Sequence, residues 1–344
     1  MAISKINIEE FLSLAKEHAV IDVRSPGEYL HAHIPSAHNI PLFSDEERKT
    51  VGTLYKQQGK QKAIKAGLDF FGVKMKSMVE EVEAIKKKAT SNIVLVHCWR
   101  GGMRSAGVAW LLDLYGFEVY TLVGGYKAFR NWTLLQFENK YNLGVLSGYT
   151  GSAKTETLLH LKSKQIAIID LEGLAHHKGS AFGGIGQEKQ PSQEMFENKL
   201  ALALQNNSHL FFMLEDESQR IGNLNIPHAF WKNIRAAPLY FIEVPFQERL
   251  KHIIANYGHL EKDKLITAIL RIQKRLGPNE TKTTINLLLE NNIEGAFTIL
   301  LKYYDKEYGK ALEKRDNIQT LLHKITLEKI DIEKNTVALL SIIK

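Results

Sequence analysis

His97-Cys98-Trp99-Arg100-Gly101-Gly102-Met103-Arg104-Ser105 follows the apolar run Ile93-Val94-Leu95-Val96 and leads into a helical pattern over residues 106–114. A short, continuous apolar run, then glycines, then a helix reads as a buried parallel strand feeding a loop and a helix. The loop holds the only cysteine of the chain. Backbone N–H groups of a glycine-rich turn, closed by Arg100 and Arg104, stabilise a thiolate and cradle a tetrahedral oxyanion beside it. Packing alone accounts for many free cysteines, but an apolar slot has no use for two arginines and two glycines. Cys98 therefore reads as a reactive thiol, with Trp99, Arg100, Gly101, Gly102, Met103 and Arg104 as the anion-binding loop.

Outward from this loop, Val20-Ile21-Asp22-Val23-Arg24 is another short buried strand ending in polar residues. The turn Ser25-Pro26-Gly27-Glu28 and the segment His33-Ile34-Pro35-Ser36-Ala37-His38-Asn39-Ile40-Pro41 follow it. Helices around 78–88 and 105–115 and a strand at 119–123, closed by Gly124-Gly125, complete a parallel α/β layout. The order of these pieces resembles the rhodanese family, whose cysteine carries sulfur or selenium as a persulfide or perselenide. The resemblance implies a rhodanese-like domain over residues 1–135. Cys98 to Arg104 is Cys-x5-Arg, one residue longer than the loop of sulfur-carrying rhodaneses, and it also resembles the phosphate loop of cysteine phosphatases. Two chemistries stay open here: attack on phosphorus, or acceptance of a chalcogen from a phosphate-bearing donor.

A second strand–loop–helix unit begins at Leu143-Gly144-Val145-Leu146-Ser147, followed by Gly148-Tyr149-Thr150-Gly151-Ser152-Ala153-Lys154-Thr155 and a helical run over 156–162. This is the setting of a phosphate-binding loop. Amides around Gly148, Gly151 and Ser152 wrap a diphosphate, Lys154 reaches its charge, and the Thr155 hydroxyl is placed to hold Mg²⁺, with Asp170 as its companion. Ala153 departs from the pattern G-x-x-x-x-G-K-[ST] and puts a methyl where the backbone approaches most closely. Acids at the ends of parallel strands face the crevice where ligands bind. Asp170 and Glu172 follow an apolar strand over 165–169, and Glu215, Glu217 and Ser218 follow another over 208–214. His177 and Ser180 lie in the polar loop His176-His177-Lys178-Gly179-Ser180-Ala181-Phe182-Gly183-Gly184, suited to clamping a phosphate or to stacking on a base. Adjacent histidines without a third convergent ligand do not make a zinc site. The expected domains are a P-loop NTPase-like α/β domain over 136–245 and a helical C-terminal subdomain over 246–344. In the latter, Tyr303, Tyr304 and Tyr308 have the spacing of core residues more than that of a nucleic-acid contact.

The 344 residues suffice for two cores, and 45 basic against 38 acidic residues give a net charge of +7. One cysteine excludes an intrachain disulfide. Residues 1–19 form an amphipathic pattern (Ile8, Phe11, Leu12, Ala15) without a signal-peptide layout, and no apolar run approaches bilayer length. A cytoplasmic protein without a membrane role is expected. Part of the charge is concentrated: between Arg48 and Lys76 the cations Arg48, Lys49, Lys56, Lys60, Lys62, Lys65, Lys74 and Lys76 meet only Asp69, with Tyr55, Gln57, Gln58 and Gln61 interleaved. That density suits a nucleic-acid backbone as well as it suits a solvated helix face.

Read together, the segments Asp22-Val23-Arg24, Asp45-Glu46-Glu47-Arg48 to Tyr55-Lys56-Gln57-Gln58-Gly59, the Cys98 loop, the phosphate loop, residues 170–183, and Glu215-Asp216-Glu217-Ser218 with Ile221-Gly222 resemble the bacterial tRNA 2-selenouridine synthase family over nearly the whole chain. The resemblance implies a transferase that replaces sulfur by selenium in wobble 2-thiouridine of tRNA. It implies selenophosphate as donor, hence a partner enzyme that makes it. It also implies an S-geranyl-2-thiouridine intermediate made from geranyl diphosphate, and no covalently bound cofactor. The competing readings are a cysteine phosphatase or sulfurtransferase fused to a nucleotide-binding domain, a kinase working through Lys154, and a non-catalytic RNA-binding protein.

Overall fold

The computed structural model describes residues 3–86 and 91–343. The chain divides into two compact units, Met1–Gln136 with Glu197–Lys199, and Phe137–Phe196 with Leu200–Lys344. Along the first run β1 (Ser4–Ile6), α1 (Ile8–Leu14), β2 (Ala19–Asp22), α2 (Pro26–His31), β3 (His38–Asn39), α3 (Asp45–Gln58), α4 (Lys60–Gly72), α5 (Met75–Lys86), β4 (Ile93–His97), α6 (Met103–Tyr115), β5 (Glu118–Leu122) and α7 (Gly125–Gln136). The helix expected around 78–88 is α5, and residues 87–88 lie outside the described residues. The strands form one parallel sheet in the order β1-β5-β4-β2-β3. β4 is central, which explains its unbroken apolar run: Val94, Leu95 and Val96 are fully buried, each contributing about 1.5–3 kcal/mol of hydrophobic stabilisation.

The second unit comprises β6 (Leu143–Gly148), α8 (Lys154–Ser163), β7 (Ala167–Ile169), α9 (Leu171–Ala175), α10 (Gln193–Asn206), β8 (Phe212–Glu215), β9 (Arg220–Ile221), β10 (Leu224–Asn225), α11 (His228–Ala236), β11 (Leu239–Glu243), α12 (Phe246–Tyr257), α13 (Lys262–Leu276), α14 (Pro278–Leu289), α15 (Ile293–Glu313), α16 (Ile318–Leu321), β12 (Leu322–Thr326) and α17 (Ile332–Leu340). Its main sheet is also parallel, in the order β12-β11-β6-β8-β7, with β6 central. The stretch after residue 246 is mostly helical, as its periodicity predicts, but Leu322–Thr326 is a strand that extends this sheet. Its short apolar content, Leu322 and Ile325, is too little for a sequence pattern to separate from a helix end. A helical core formed by Phe182, Ile253, Ile269, Phe297, Leu300 and their neighbours packs around α12 to α15. Among the described residues no helix is long and apolar enough to cross a membrane.

Candidate active site

In the first unit the thiol sits at the end of the central strand. Cys98 Sγ lies 3.2 Å from Ser105 Oγ and accepts the Gly102 amide at 3.3 Å. Burial pushes this thiol up, but the Ser105 hydroxyl and amide, the Arg104 charge and the Arg100 amide outweigh it and hold it below the range of a free cysteine. The loop rests on a second glycine segment: the Tyr126 amide donates to Cys98 O at 2.8 Å and that of Lys127 to Trp99 O at 3.0 Å. Gly101 and Gly125 both take left-handed backbone, at φ +63° and +57°, and a Cβ on Gly125 would lie 2.5 Å from Gly101 N and closer still to Cys98 O. Two glycines from separate segments are thus required to bring the loop onto its floor.

The charges around the thiol are arranged in layers. Arg104 Nη1 donates to Glu28 Oε2 at 2.9 Å. Burial raises the Glu28 carboxyl, but Arg104 and the Ser25 amide more than offset this and keep it an anion below the usual range. Beneath, the buried Arg24 donates through Nη2 to Asp22 at 2.6 Å and to Ala32 O at 2.8 Å, with its guanidinium 3.8 Å from the Tyr126 ring centre. His97 is fully buried, neither ring nitrogen has a hydrogen-bond partner, and burial holds its pKa down. A neutral imidazole gives the thiolate no counter-charge, so that role falls to Arg104 and the loop amides. Trp99, Arg100, Gly101, Gly102 and Met103 line the solvent-facing mouth.

In the second unit the phosphate loop lies between β6 and α8. Lys154 Nζ turns back over the loop, 2.9 Å from Gly148 O, and Thr155 Oγ1 donates to Glu172 Oε2 at 3.1 Å. Gly148 and Gly151 have positive φ, and a Cβ on Gly151 would meet Arg249 O and Ile253. Ala153 holds left-handed backbone, φ 57° and ψ 41°, at the point where the pattern has glycine. Arg249, buried, donates to Thr150 O at 3.0 Å and pairs with both oxygens of Asp305 at 2.8 Å, which fixes the loop's outer bend. Ser147 and Tyr308 both donate to Asp216 Oδ2.

Four acids gather near Thr155 and Lys154. Asp170 caps α9 through the Gly173 amide at 2.7 Å. Glu215 is buried with neither carboxyl oxygen partnered, and burial together with the Glu172 and Asp170 charges pushes it well above the ordinary carboxyl range. Burial and the Glu172 and Glu215 charges do the same to Glu217, and burial raises Glu172 despite Lys154. Beside the loop lies a small, mostly apolar slot of about 40 Å³, partly open to solvent, whose walls include Thr150, Phe182, Ile253, Tyr257, Phe297 and Tyr304.

Comparison with known proteins joins the two halves. A family model described as "Rhodanese-like domain" matches residues 7–131, and one described as "tRNA 2-selenouridine synthase AAA domain" matches residues 141–330. The tRNA 2-selenouridine synthase of Shewanella halifaxensis is 33% identical over 352 residues, covering 92% of this chain and 94% of the relative. The chain belongs to the tRNA 2-selenouridine synthase family. The synthase of Marinobacter nauticus is likewise 33% identical, over 91% of this chain and 93% of its own. Among solved structures, the N-terminal domain of a putative ATP/GTP binding protein from Clostridium difficile 630 is 42% identical over 38% of this chain and 99% of that one, with a TM-score of 0.36.

Against the positions that resemblance to this synthase family singles out, the geometry is selective. Cys98 with residues 99–104 forms one loop, and Gly148, Gly151, Ser152, Ala153, Lys154 and Thr155 form another, with Glu172, Glu215 and Glu217 grouped on the second. Ser180 lines the slot, and His177 is half-buried with Nδ1 unpartnered. Ser218, next to Glu217 in the chain, is exposed and donates to Arg220 O. Ser105 and Glu28 join the site without a chemical signal of their own in the sequence, although Ser105 closes the quoted motif. Arg249, Tyr257 and Phe297 lie about a hundred residues or more from the phosphate loop and carry no local signal either.

Proposed function

We propose that the chain replaces the sulfur of wobble 2-thiouridine in tRNA by selenium from selenophosphate, through an S-geranyl-2-thiouridine intermediate made from geranyl diphosphate. The observation that carries this reading is the apolar, aromatic slot beside the phosphate loop. A nucleotide presents a polar sugar and base beyond its phosphates, and these need hydrogen-bond partners. A prenyl diphosphate presents hydrocarbon, which needs none, and Phe182, Tyr257 and Phe297 offer it apolar contacts once the small slot they line widens to admit it. The loop amides and Lys154 then hold the diphosphate as its charge develops on departure.

Alkylating the thiocarbonyl sulfur turns a poor leaving group into a thiol. A selenium nucleophile adds at C2 and expels geranylthiol. Cys98 serves the selenium step: its thiolate attacks the phosphorus of selenophosphate, held by Arg100, Arg104 and the loop amides, and expels hydroselenide, which is the nucleophile at C2, while water returns the phosphocysteine to thiol and phosphate. Asp170, Glu172, His177, Ser180, Glu215, Glu217 and Ser218 are the substrate-positioning candidates. Magnesium would find hard oxygen donors in the Thr155 hydroxyl and the unpartnered Glu215 carboxyl oxygens. When bound it neutralises diphosphate charge. A cytoplasmic setting and a selenophosphate-producing partner enzyme complete the reading.

The test is nucleoside mass spectrometry of 2-thiouridine-containing tRNA incubated with the protein, geranyl diphosphate and Mg²⁺, with and without selenophosphate. A geranyl adduct that converts to a selenium nucleoside on adding selenophosphate is the expected result. Unchanged tRNA overturns the reading, and Cys98-dependent hydrolysis of a simple phosphate ester then points to the phosphatase.

A further inference from the structure

The hairpin of α3 and α4 is difficult to explain by packing. α3 runs fourteen residues without one fully buried side chain, and its start is held by the Ser44–Glu47 capping box and by an ion pair from Lys74 to Glu47. Its partly buried Val51 packs against the core of the unit, but with no side chain fully buried the helix draws little stability from that core. α4 does have an inner face, Ala63, Gly67 and Phe71. Lys49, Lys56, Lys60, Lys62 and Lys65 are all exposed, and none has a carboxylate within ion-pair distance among the described residues. Tyr55 stands 52% exposed among them.

The root of this hairpin is tied to the thiol loop. The Gly27 amide donates to Asp45, the first residue of α3, at 3.0 Å, and Arg48 Nε lies 3.7 Å from the same Glu28 oxygen that holds Arg104. A chain of three side chains, Arg48, Glu28 and Arg104, thus runs from α3 to the charge that lowers the Cys98 thiol. We infer that the exposed face of α3 and α4 is the docking surface for the phosphate backbone of the tRNA, laying the RNA beside the mouth of the Cys98 loop. Unpaired lysines on a rigid helical arm complement a regularly spaced polyanion, and each lysine that meets a phosphate releases condensed counterions. Tyr55 adds a ring on which an unstacked base rests.

This inference rests on the tRNA reading above, and the experiment separates the two. Binding of bulk deacylated tRNA to the full chain is measured across a salt series for the wild type, for Lys62→Gln/Lys65→Gln, and for Lys274→Gln/Lys282→Gln. The last pair removes equal charge from the groove between α13 and α14, where both lysines lie. The hairpin pair is expected to weaken binding several-fold and to flatten the log–log salt dependence by about two, roughly one per lost phosphate contact. The alkylation rate of Cys98 in that variant, unchanged, shows that the unit is intact. A hairpin variant that binds as the wild type does, or a groove variant that loses as much, overturns the docking surface while leaving the tRNA reading standing. A wild-type chain that binds no tRNA overturns the tRNA reading itself.

Discussion

The Cys98 loop and the phosphate loop leave the central strands of two separate five-stranded parallel sheets, β4 and β6, and each opens a helix. Both therefore turn backbone amides and a helix N-terminus outward, an arrangement suited to an anion. They differ in the side chains that surround it. The first loop has a nucleophile whose ionisation is set by Ser105, Arg104 and amides, with a neutral histidine beneath. The second has no nucleophile but a lysine, a hydroxyl and a group of acids whose carboxyls are pushed up by burial and by one another. One backbone device stands in two settings, and the side chains in and around each loop set them apart.

If that division holds, each loop can be disabled alone. Cys98→Ala is expected to lower selenation by at least about a thousandfold, as loss of a nucleophile does, while geranylation of 2-thiouridine tRNA continues; loss of both activities together would break the division. Lys154→Ala is expected to slow geranylation by about 100- to 1000-fold, the size of losing one donor to a developing oxyanion. The alkylation rate of Cys98 should stay at its wild-type value in that variant.

The next test concerns the floor that only the first loop has. Gly125→Ala forces a Cβ into backbone atoms of Cys98, Arg100 and Gly101 at a left-handed φ. Backbone cannot rotate away as a side-chain end does, so a loss of about 3 kcal/mol is expected, read as a lower thermal midpoint of the unit containing Cys98. A midpoint within about a degree of the wild type would mean that the floor is looser than its hydrogen bonds indicate.

Arg104→Gln tests the charge. The folded thiol titrates below an ordinary cysteine, so thiolate is available at a pH where free cysteine is protonated. Removing the cation moves that titration upward. The rate of iodoacetamide alkylation at neutral pH should fall a few-fold, while the plateau at high pH, where every thiol is ionised, stays nearly the same. A profile that does not move would assign the lowering to Ser105 and the amides alone.

The two loops also differ in how far a sequence shows them. Each strand–loop–helix was legible because apolar runs, glycines and helical periodicity lie within about thirty residues, and β4 and β6 are central strands whose burial demands that pattern. The Gly124-Gly125 floor was visible as the end of a strand but not as a support, since only the fold brings residue 125 onto residue 98. The slot was not legible: its walls come from the loop after α9 and from α12 and α15, where Ile253, Tyr257 and Phe297 look like any core positions of amphipathic helices. Strand β12 was missed for the complementary reason, that a short edge strand carries too few apolar residues to announce itself.

Ala153 makes the finest comparison, because the first loop fills its left-handed corners with glycine and the second places an alanine at one of its own. Left-handed backbone costs an alanine about 1–2 kcal/mol. The Ala153 carbonyl accepts both the amide and the hydroxyl of Thr157, at 3.0 and 2.8 Å, which holds the peptide in place, and the residue is 3% exposed, so its methyl is buried. Ala153→Gly would relieve the strain, but it would forfeit about 0.8 kcal/mol of methyl burial and raise the entropy of the unfolded chain by another 0.4–1 kcal/mol or so. These terms nearly cancel, and the expected change in stability is under about 1 kcal/mol by denaturant titration. The loop thus keeps a glycine-like path with an alanine in it. A gain well above about 1 kcal/mol in the glycine variant would show that the strain is uncompensated and retained at the point where the proposed diphosphate would lie, and the comparison between the loops would then become one between a relaxed cradle and a strained one.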